Sequence, residues 1–268
     1  MTLPRLTLPR RLLAELIGTA LLVAVVVGSG ITAQQLSAGQ PGLQLLENSL
    51  ATVFGLGVLI LLFGPVSGAH FNPVVSAADW LLGRRAGTGL PGREVLAYTG
   101  AQVTGAVLGA ILANIMFGLA AIQVSDTARS APGLWIGEAV ATAGLVALIV
   151  ALARSRRAAL SAAAVASWIG AAYWFTSSTS FANPAVTIGR LFSDTFAGIA
   201  PASAPAFIAA QFAGGLLGLG VAVTLYPDVP SAAAAWPALV CVQKQGGLPN
   251  CGHASCGHTP STTIAGWS

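Results

Sequence analysis

Two short Asn-Pro segments inside an otherwise apolar sequence constrain this chain more than any other feature. They are Asn72, Pro73 and Val74, and Asn183, Pro184 and Ala185. A helix over residues 72–82 would be roughly 16 Å long at about 1.5 Å per residue, which is half of a ~30 Å hydrocarbon core. Proline suits the first helical position because its missing N–H has no partner there, and the preceding asparagine can cap the helix. Both segments therefore predict half-length helices.

The composition indicates a membrane protein. Of the 268 residues, 55% are hydrophobic and only 7% are charged, whereas about a quarter of the residues in a soluble domain are charged. Apolar runs predict six full spans, near residues 11–31, 47–65, 94–122, 134–153, 158–176 and 204–226. Residues 1–10 are predicted to form an N-terminal arm, and residues 227–268 are expected to form a poorly ordered tail rich in Ala, Pro and Gly.

An internal repeat relates the two halves of residues 11–226. The order span, span, half-helix, span occurs in about 11–122 and again in about 134–226. The matched residues are Glu15 with Glu138, Gln102 with Gln211, Gly105 with Gly214, and Gly109 with Gly218. Each repeat has three full spans, so the second must be inverted relative to the first, and the half-helices meet by their N-termini. Non-helical backbone before them survives at membrane depth only when buried in protein or lining a water-filled cavity.

On these residues the sequence resembles the aquaporins, or major intrinsic proteins. The resemblance is carried by SGAHFNPV at residues 67–74, by NPA at 183–185 and by the repeated glutamates and glycines. It implies an all-α fold of six transmembrane helices plus two re-entrant half-helices. It also implies passive diffusion of water or small uncharged solutes such as glycerol, without enzyme chemistry, cofactor or metal, in a homotetramer with one pore per subunit. A secondary transporter remains an alternative, because inverted repeats with broken helices also build transporters, and a third is a non-conducting structural protein.

The resemblance assigns roles to the residues around the half-helices. Both asparagine amides are expected to donate hydrogen bonds to a passing solute. The expected acceptors are the backbone carbonyls of Gly68, Ala69, His70, Ser180, Phe181 and Ala182. Glu15 and Glu138 lie in apolar spans, where an ionisable residue is a functional candidate; the resemblance implies that they hold the re-entrant loops, with proton chemistry as the alternative. For His70, the alternative is a packing role.

Val186 departs from the pattern that the resemblance implies. Most of the family has an arginine three residues after the second asparagine. Counting without gaps assigns Ala171 and Ser180 to two other positions of the selectivity filter. For the fourth position, counting back from Asn72 gives Thr52, whereas matching residues 54–56 to the family's span pattern gives Phe54. Such a filter is wider and less polar than a strict water filter. Arg190, one turn beyond Val186, either replaces part of the missing charge or is a solvated residue of the outer mouth.

The charge pattern predicts the orientation of the chain. Ten of the twelve Lys and Arg residues fall on one side of the six-span topology: Arg5, Arg10, Arg11, Arg84, Arg85, Arg93, Arg154, Arg156, Arg157 and Lys244. The positive-inside rule then places both termini in the cytoplasm and the protein in the inner (plasma) membrane. The lipid bilayer and small neutral solutes are the expected partners. Nucleic acid is not expected despite the sequence pI near 9.4, because the cations lie in loops and termini.

The C-terminal tail contains potential metal donors. They are Cys241, Cys251, His253, Cys256 and His258. Their spacing matches no established zinc module, so a disordered tail is favoured over a metal site. A faint resemblance of residues 239–243 to small arsenate reductases adds arsenite to the candidate solutes. Catalysis is not inferred, because the arginine that their loop needs is Gly247 here.

Overall fold

A computed structural model describes residues 6–84 and 87–227, and this part of the chain is built from helices and loops. Six of the helices described there are long and apolar enough to cross a membrane, as the sequence predicts. The α-helices are α1 (Leu8–Leu36), α2 (Pro41–Ser67), α3 (Pro73–Gly83), α4 (Gly92–Met116), α5 (Pro132–Arg154), α6 (Ser161–Phe175), α7 (Pro184–Gly189) and α8 (Ala204–Leu225). Short 3₁₀ turns precede α6 at Ala158–Leu160 and follow α7 at Arg190–Phe192.

Helices α3 and α7 are the predicted half-length helices, and both begin as the sequence indicates. The side-chain oxygen of Asn72 accepts a hydrogen bond from the Val74 N–H at 2.9 Å. The side-chain oxygen of Asn183 accepts from the N–H groups of Ala185 and Val186 at 2.9 and 3.3 Å. Proline occupies the first helical position in each, so the cap and the proline together satisfy part of the first turn.

The two repeats pack their first and last spans in the same way. Gly105 and Gly109 of α4 lie so close to α1 that a Cβ at either would overlap a backbone oxygen, that of Leu16 or Ala20. In the second repeat, Gly214 and Gly218 of α8 make the same approach to the carbonyls of Ala139 and Ala143 in α5. Small residues at these crossings allow helix backbones to come together within a membrane. The matched glycines are therefore helix-crossing points.

The outer surface of the bundle is apolar and much of its interior is polar. On α2, a stripe of Leu50, Phe54, Val58 and Leu61 is exposed, whereas Thr52 on the other side of that helix is buried. Several other polar or charged side chains are fully enclosed, including Glu15, Glu138, Gln102 and Gln211. This inverted distribution fits a bundle surrounded by lipid that encloses a polar centre.

The helix bounds correct two predictions from sequence. Helix α1 begins at Leu8, within the predicted arm, because Pro9 is acceptable in its first turn. Helix α4 ends at Met116 rather than at residue 122, because Gly118 adopts a left-handed conformation with φ of 69° and terminates it. The predicted tail from residue 228 onward, with its cysteines and histidines, lies outside the described residues, as do Arg5 and Arg85.

Candidate functional site

The N-termini of α3 and α7 meet through a reciprocal pair of hydrogen bonds. The Asn72 amide nitrogen donates to the Ala182 carbonyl at 2.7 Å. The Asn183 amide nitrogen donates to the Phe71 carbonyl, also at 2.7 Å. Because an amide NH₂ group carries two N–H donors, each asparagine retains one for another acceptor. The sequence predicts the Ala182 carbonyl as a hydrogen-bond acceptor but not the Phe71 carbonyl, although Phe71 is the residue that matches Ala182 in the other repeat.

The backbone before each half-helix adopts a repeated left-handed pattern. The positions with positive φ are Gly68, Ala69 and Phe71 in the first segment and Thr179, Ser180 and Ala182 in the second, with φ of 48–60° at the five non-glycine residues. A left-handed conformation costs an ordinary residue about 1–2 kcal/mol. Single residues in this conformation reverse the direction of successive peptide groups, so the chain can present carbonyl oxygens instead of using them within a helix. This strain requires support from neighbouring groups.

Glu15 supplies that support in the first repeat. One carboxylate oxygen accepts hydrogen bonds from the Ser67 hydroxyl at 2.6 Å and the His70 N–H at 3.0 Å. The other accepts from the Phe71 N–H at 2.7 Å and the Gln102 side-chain amide at 2.8 Å. Four donors therefore satisfy a fully buried carboxylate.

Glu138 has the same position in the second repeat. Its carboxylate accepts from the Phe181 N–H at 2.9 Å, the Ala182 N–H at 2.8 Å and the Gln211 amide at 2.6 Å. Gln211 also donates to the Thr187 hydroxyl at 2.9 Å, as Gln102 does to Ser76 at 3.0 Å. Both glutamates thus hold strained loops against neighbouring helices, an arrangement that fits the predicted supporting role.

His70 is packed rather than open to solvent. Its Nδ1 lies 3.0 Å from the Ser76 hydroxyl oxygen, and its ring is 5.5 Å from the Tyr98 ring. The Tyr98 hydroxyl donates to the Ser67 carbonyl at 3.0 Å. The side chain of His70 therefore packs inside the bundle, while its backbone N–H donates to Glu15.

Two of the predicted filter residues lie on the wrong helix face. Phe54 is 69% exposed on the outer stripe of α2, because two residues turn a helix by about 200° away from Thr52. Ala171 is exposed on α6, in line with Ser167 and Trp174. Both side chains thus face away from the interior of the bundle, which argues against them as filter residues and leaves Thr52 as the α2 candidate.

Tyr173, two residues beyond Ala171, lies on the buried face of α6. Its side chain is 3% exposed, and its hydroxyl lies 3.1 Å from the Thr52 hydroxyl. Ser180 and Val186 of the second re-entrant segment are buried as well. The buried face of α6 could have indicated Tyr173 from sequence, since it repeats through Val165, Ile169 and Ala172.

Arg190 is not a solvated residue of the outer mouth. It is 2% exposed, its Nε donates to the Ala197 carbonyl, and its guanidinium carbon lies 3.4 Å from the centroid of the Phe181 ring. Arg129, in the loop after α4, lies 5.2 Å from the same centroid. Burial lowers the pKa of Arg129 below its ordinary value, and Glu138 and Tyr173 oppose that shift.

A metal centre finds no support in residues 6–84 and 87–227, where no group of three or more His, Cys, Asp or Glu side chains could hold an ion. The predicted tail donors fall outside those ranges.

Several known proteins are similar to this chain in sequence. The family model described as Major intrinsic protein matches residues 2–179. The chain is 48% identical over 214 residues to aquaglyceroporin AqpS of Rhizobium meliloti, covering 80% of this chain and 89% of that protein. It is 30% identical to the probable aquaporin AqpM of Archaeoglobus fulgidus, over 72% of this chain and 87% of that protein.

A solved structure has the same fold. The aquaglyceroporin from Plasmodium falciparum superposes with a TM-score of 0.57 at 20% identity, covering 82% of this chain and 96% of that one. With its paired half-helices and inverted repeat, this chain belongs to the major intrinsic protein family.

Proposed function

We propose that this protein is a passive channel for water and small uncharged solutes, with a filter made by Thr52, Tyr173, Ser180 and Val186. The observation that carries the proposal is the junction of α3 and α7. There, two asparagines each keep one N–H free of the reciprocal bonds. A neutral solute with hydroxyl groups can accept from these donors and donate to nearby carbonyls, which replaces its hydration without any fixed anion in the path.

Burial and contact select Thr52 and add Tyr173 to the two filter residues that the sequence indicates, Ser180 and Val186. Thr52 and Tyr173 meet through their hydroxyls at 3.1 Å. The hydroxyl oxygen of Ser180 is buried without a hydrogen-bond partner in the part of the chain that is described, so the protein itself leaves this polar group unused. Val186 offers no donor and less bulk than a guanidinium, which favours solutes wider than water. Glycerol is the expected solute of this size, and arsenite is the metalloid candidate.

The distribution of basic residues supports a proposed orientation, and membership of the family supports a proposed assembly. We propose that both termini face the cytoplasm, because ten of the twelve basic residues lie on one side of the six-span topology. They are at or before the start of α1, from the end of α3 to the start of α4, from the end of α5 to the residues before α6, and in the tail. A homotetramer with one pore per subunit is the proposed assembly. Reporter fusions at residue 268 test the orientation: activity from a cytoplasmic reporter is expected, and activity from a periplasmic one contradicts the topology.

Flux measurements test the function. Purified protein in proteoliposomes should accelerate shrinkage in a sorbitol gradient and re-swelling in glycerol or arsenite gradients, compared with empty liposomes. The rate should rise linearly with the solute gradient, because a channel does not couple transport to an ion. Saturable uptake that requires an ion gradient would indicate a secondary transporter, and no flux above empty liposomes would indicate a non-conducting protein.

A further inference from the structure

Arg190 is a buried cation without a carboxylate partner. The one ion pair among the described residues joins Arg11 to Glu94 at 2.8 Å, on a different part of the bundle. Arg190 instead has a carbonyl and an aromatic face as its neighbours. Burying a charge without a counter-ion costs desolvation free energy. A buried arginine at this position therefore suggests that the positive charge itself has a role.

The guanidinium keeps donors that the protein does not use. Its Nε reaches the Ala197 carbonyl, but no hydrogen bond runs from either terminal nitrogen to a residue in 6–84 or 87–227. Neither terminal nitrogen is among the fully enclosed polar atoms without a partner, so both retain some accessible surface although the side chain is 2% exposed. The four terminal N–H donors thus have no acceptor among the described residues.

Arg190 belongs to the segment that carries two of the proposed filter residues, Ser180 and Val186. It lies one turn beyond Val186, and it stacks on Phe181, the residue after Ser180. The free donors of Arg190 are therefore held on the re-entrant segment that contributes half of the proposed filter.

Arg129 provides a contrast in the same region. Its Nε donates to the Gly198 carbonyl at 2.9 Å and its Nη2 to the Phe196 carbonyl at 3.2 Å. These bonds fasten the loop before α8 to the loop after α4. Arg129 thus has a structural role in joining two loops. Arg190 makes one hydrogen bond, to the Ala197 carbonyl, and most of its N–H donors have no acceptor among the described residues.

We infer that Arg190 is a specificity-determining residue that supplies the fixed positive charge of the outer mouth and excludes inorganic cations from a filter that Val186 leaves wide. This inference rests on the proposed channel function. Stacking on Phe181 holds the guanidinium flat against the wall, so the charge acts on the path without its bulk blocking neutral solutes. A small cation that enters must pass this charge at close range in a poorly screened space.

The test compares cation and neutral permeability in proteoliposomes of the full chain. Arg190→Met removes the charge while retaining an unbranched apolar stem. Sodium and potassium flux, followed with a potential-sensitive dye, is expected to rise at least about tenfold over wild type, while water and glycerol fluxes stay within about twofold. Arg93→Met is the matched control: it removes the same charge from an exposed site at the start of α4, and cation flux should not change.

Several outcomes would overturn the inference. They are a wild-type channel that already conducts sodium, and an Arg190→Met channel with intact water flux and unchanged cation exclusion. Arg190→Lys keeps the charge without the planar face and should still exclude cations; leakage through it at normal water flux also contradicts the proposal. If neither variant reaches the membrane, Arg190 is needed for folding and the proposal fails. Absence of water and glycerol flux in wild type would instead refute the channel function.

Discussion

Asn72 and Asn183 each donate a hydrogen bond to the backbone carbonyl that directly precedes the other asparagine. These bonds, to Ala182 and Phe71, are both 2.7 Å long. The side-chain oxygens meanwhile cap the asparagines' own helices. One residue type at two matched positions therefore joins the half-helices, starts them and retains a donor.

Replacing Asn183 by Asp tests this junction. The carboxylate can still cap α7, but it cannot donate to the Phe71 carbonyl, so two acceptors face each other. We expect a loss of about 1–3 kcal/mol in stability and a clear fall in water permeability. Thermal unfolding in detergent and stopped-flow light scattering measure the two effects. By repeat symmetry, Asn72→Asp should behave alike, and an Asn183→Asp protein with wild-type stability and flux would show that the reciprocal bond is dispensable.

Replacing Glu138 by Gln distinguishes support from proton chemistry. The amide group of glutamine would present its own N–H donors to the N–H groups of Phe181 and Ala182 or to the Gln211 amide. We expect a stability loss of about 2–3 kcal/mol, with no change in the pH dependence of the remaining water flux. Unchanged stability together with an altered pH profile would favour a proton-handling role.

Tyr173→Phe tests the filter residue that sequence counting missed. The change removes the hydroxyl that contacts Thr52 and keeps the ring. We expect the ratio of glycerol to water permeability to change by at least about twofold, because one polar contact to the solute is lost. Ala171→Ser is the control, since Ala171 lies on the exposed face of α6. An equal response of the two variants would exclude Tyr173 from the filter.

Val186→Arg tests the width of the filter. A guanidinium adds bulk, charge and up to five donors at a position that now presents two methyl groups. Glycerol and arsenite permeability should fall by about tenfold or more, while water permeability falls much less. Surface biotinylation or detergent gel filtration confirms that the variant is folded. A permeability ratio equal to that of wild type would place Val186 outside the filter.

The sequence predicts the repeated parts of the site well, because each appears twice at matched spacing. Glu15 with Glu138 and Gln102 with Gln211 are paired in sequence, and each pair makes equivalent hydrogen bonds in the structure. The αL backbone that these residues support is not readable from the sequence, since alanine, serine and phenylalanine adopt it here only under tertiary constraint.

The features found once in the chain were predicted less well. Ala171 was placed by counting through a loop, and a count cannot tell which face of α6 is buried. Phe54 comes from matching a short span pattern rather than from counting, and it lies on the exposed face of α2, opposite Thr52. The burial of Arg190 depends on Ala197 and Phe181 coming together in space, and no local pattern specifies this contact.

The most direct test measures neutral and proton flux on the same vesicles. Proteoliposomes carrying a trapped pH-sensitive dye are exposed first to a sorbitol or glycerol gradient and then to a pH gradient. We predict fast water and glycerol movement and a proton leak equal to that of empty liposomes, because the half-helix N-termini and asparagine donors at the junction disfavour a positive charge. A proton leak comparable to the water flux would contradict the account.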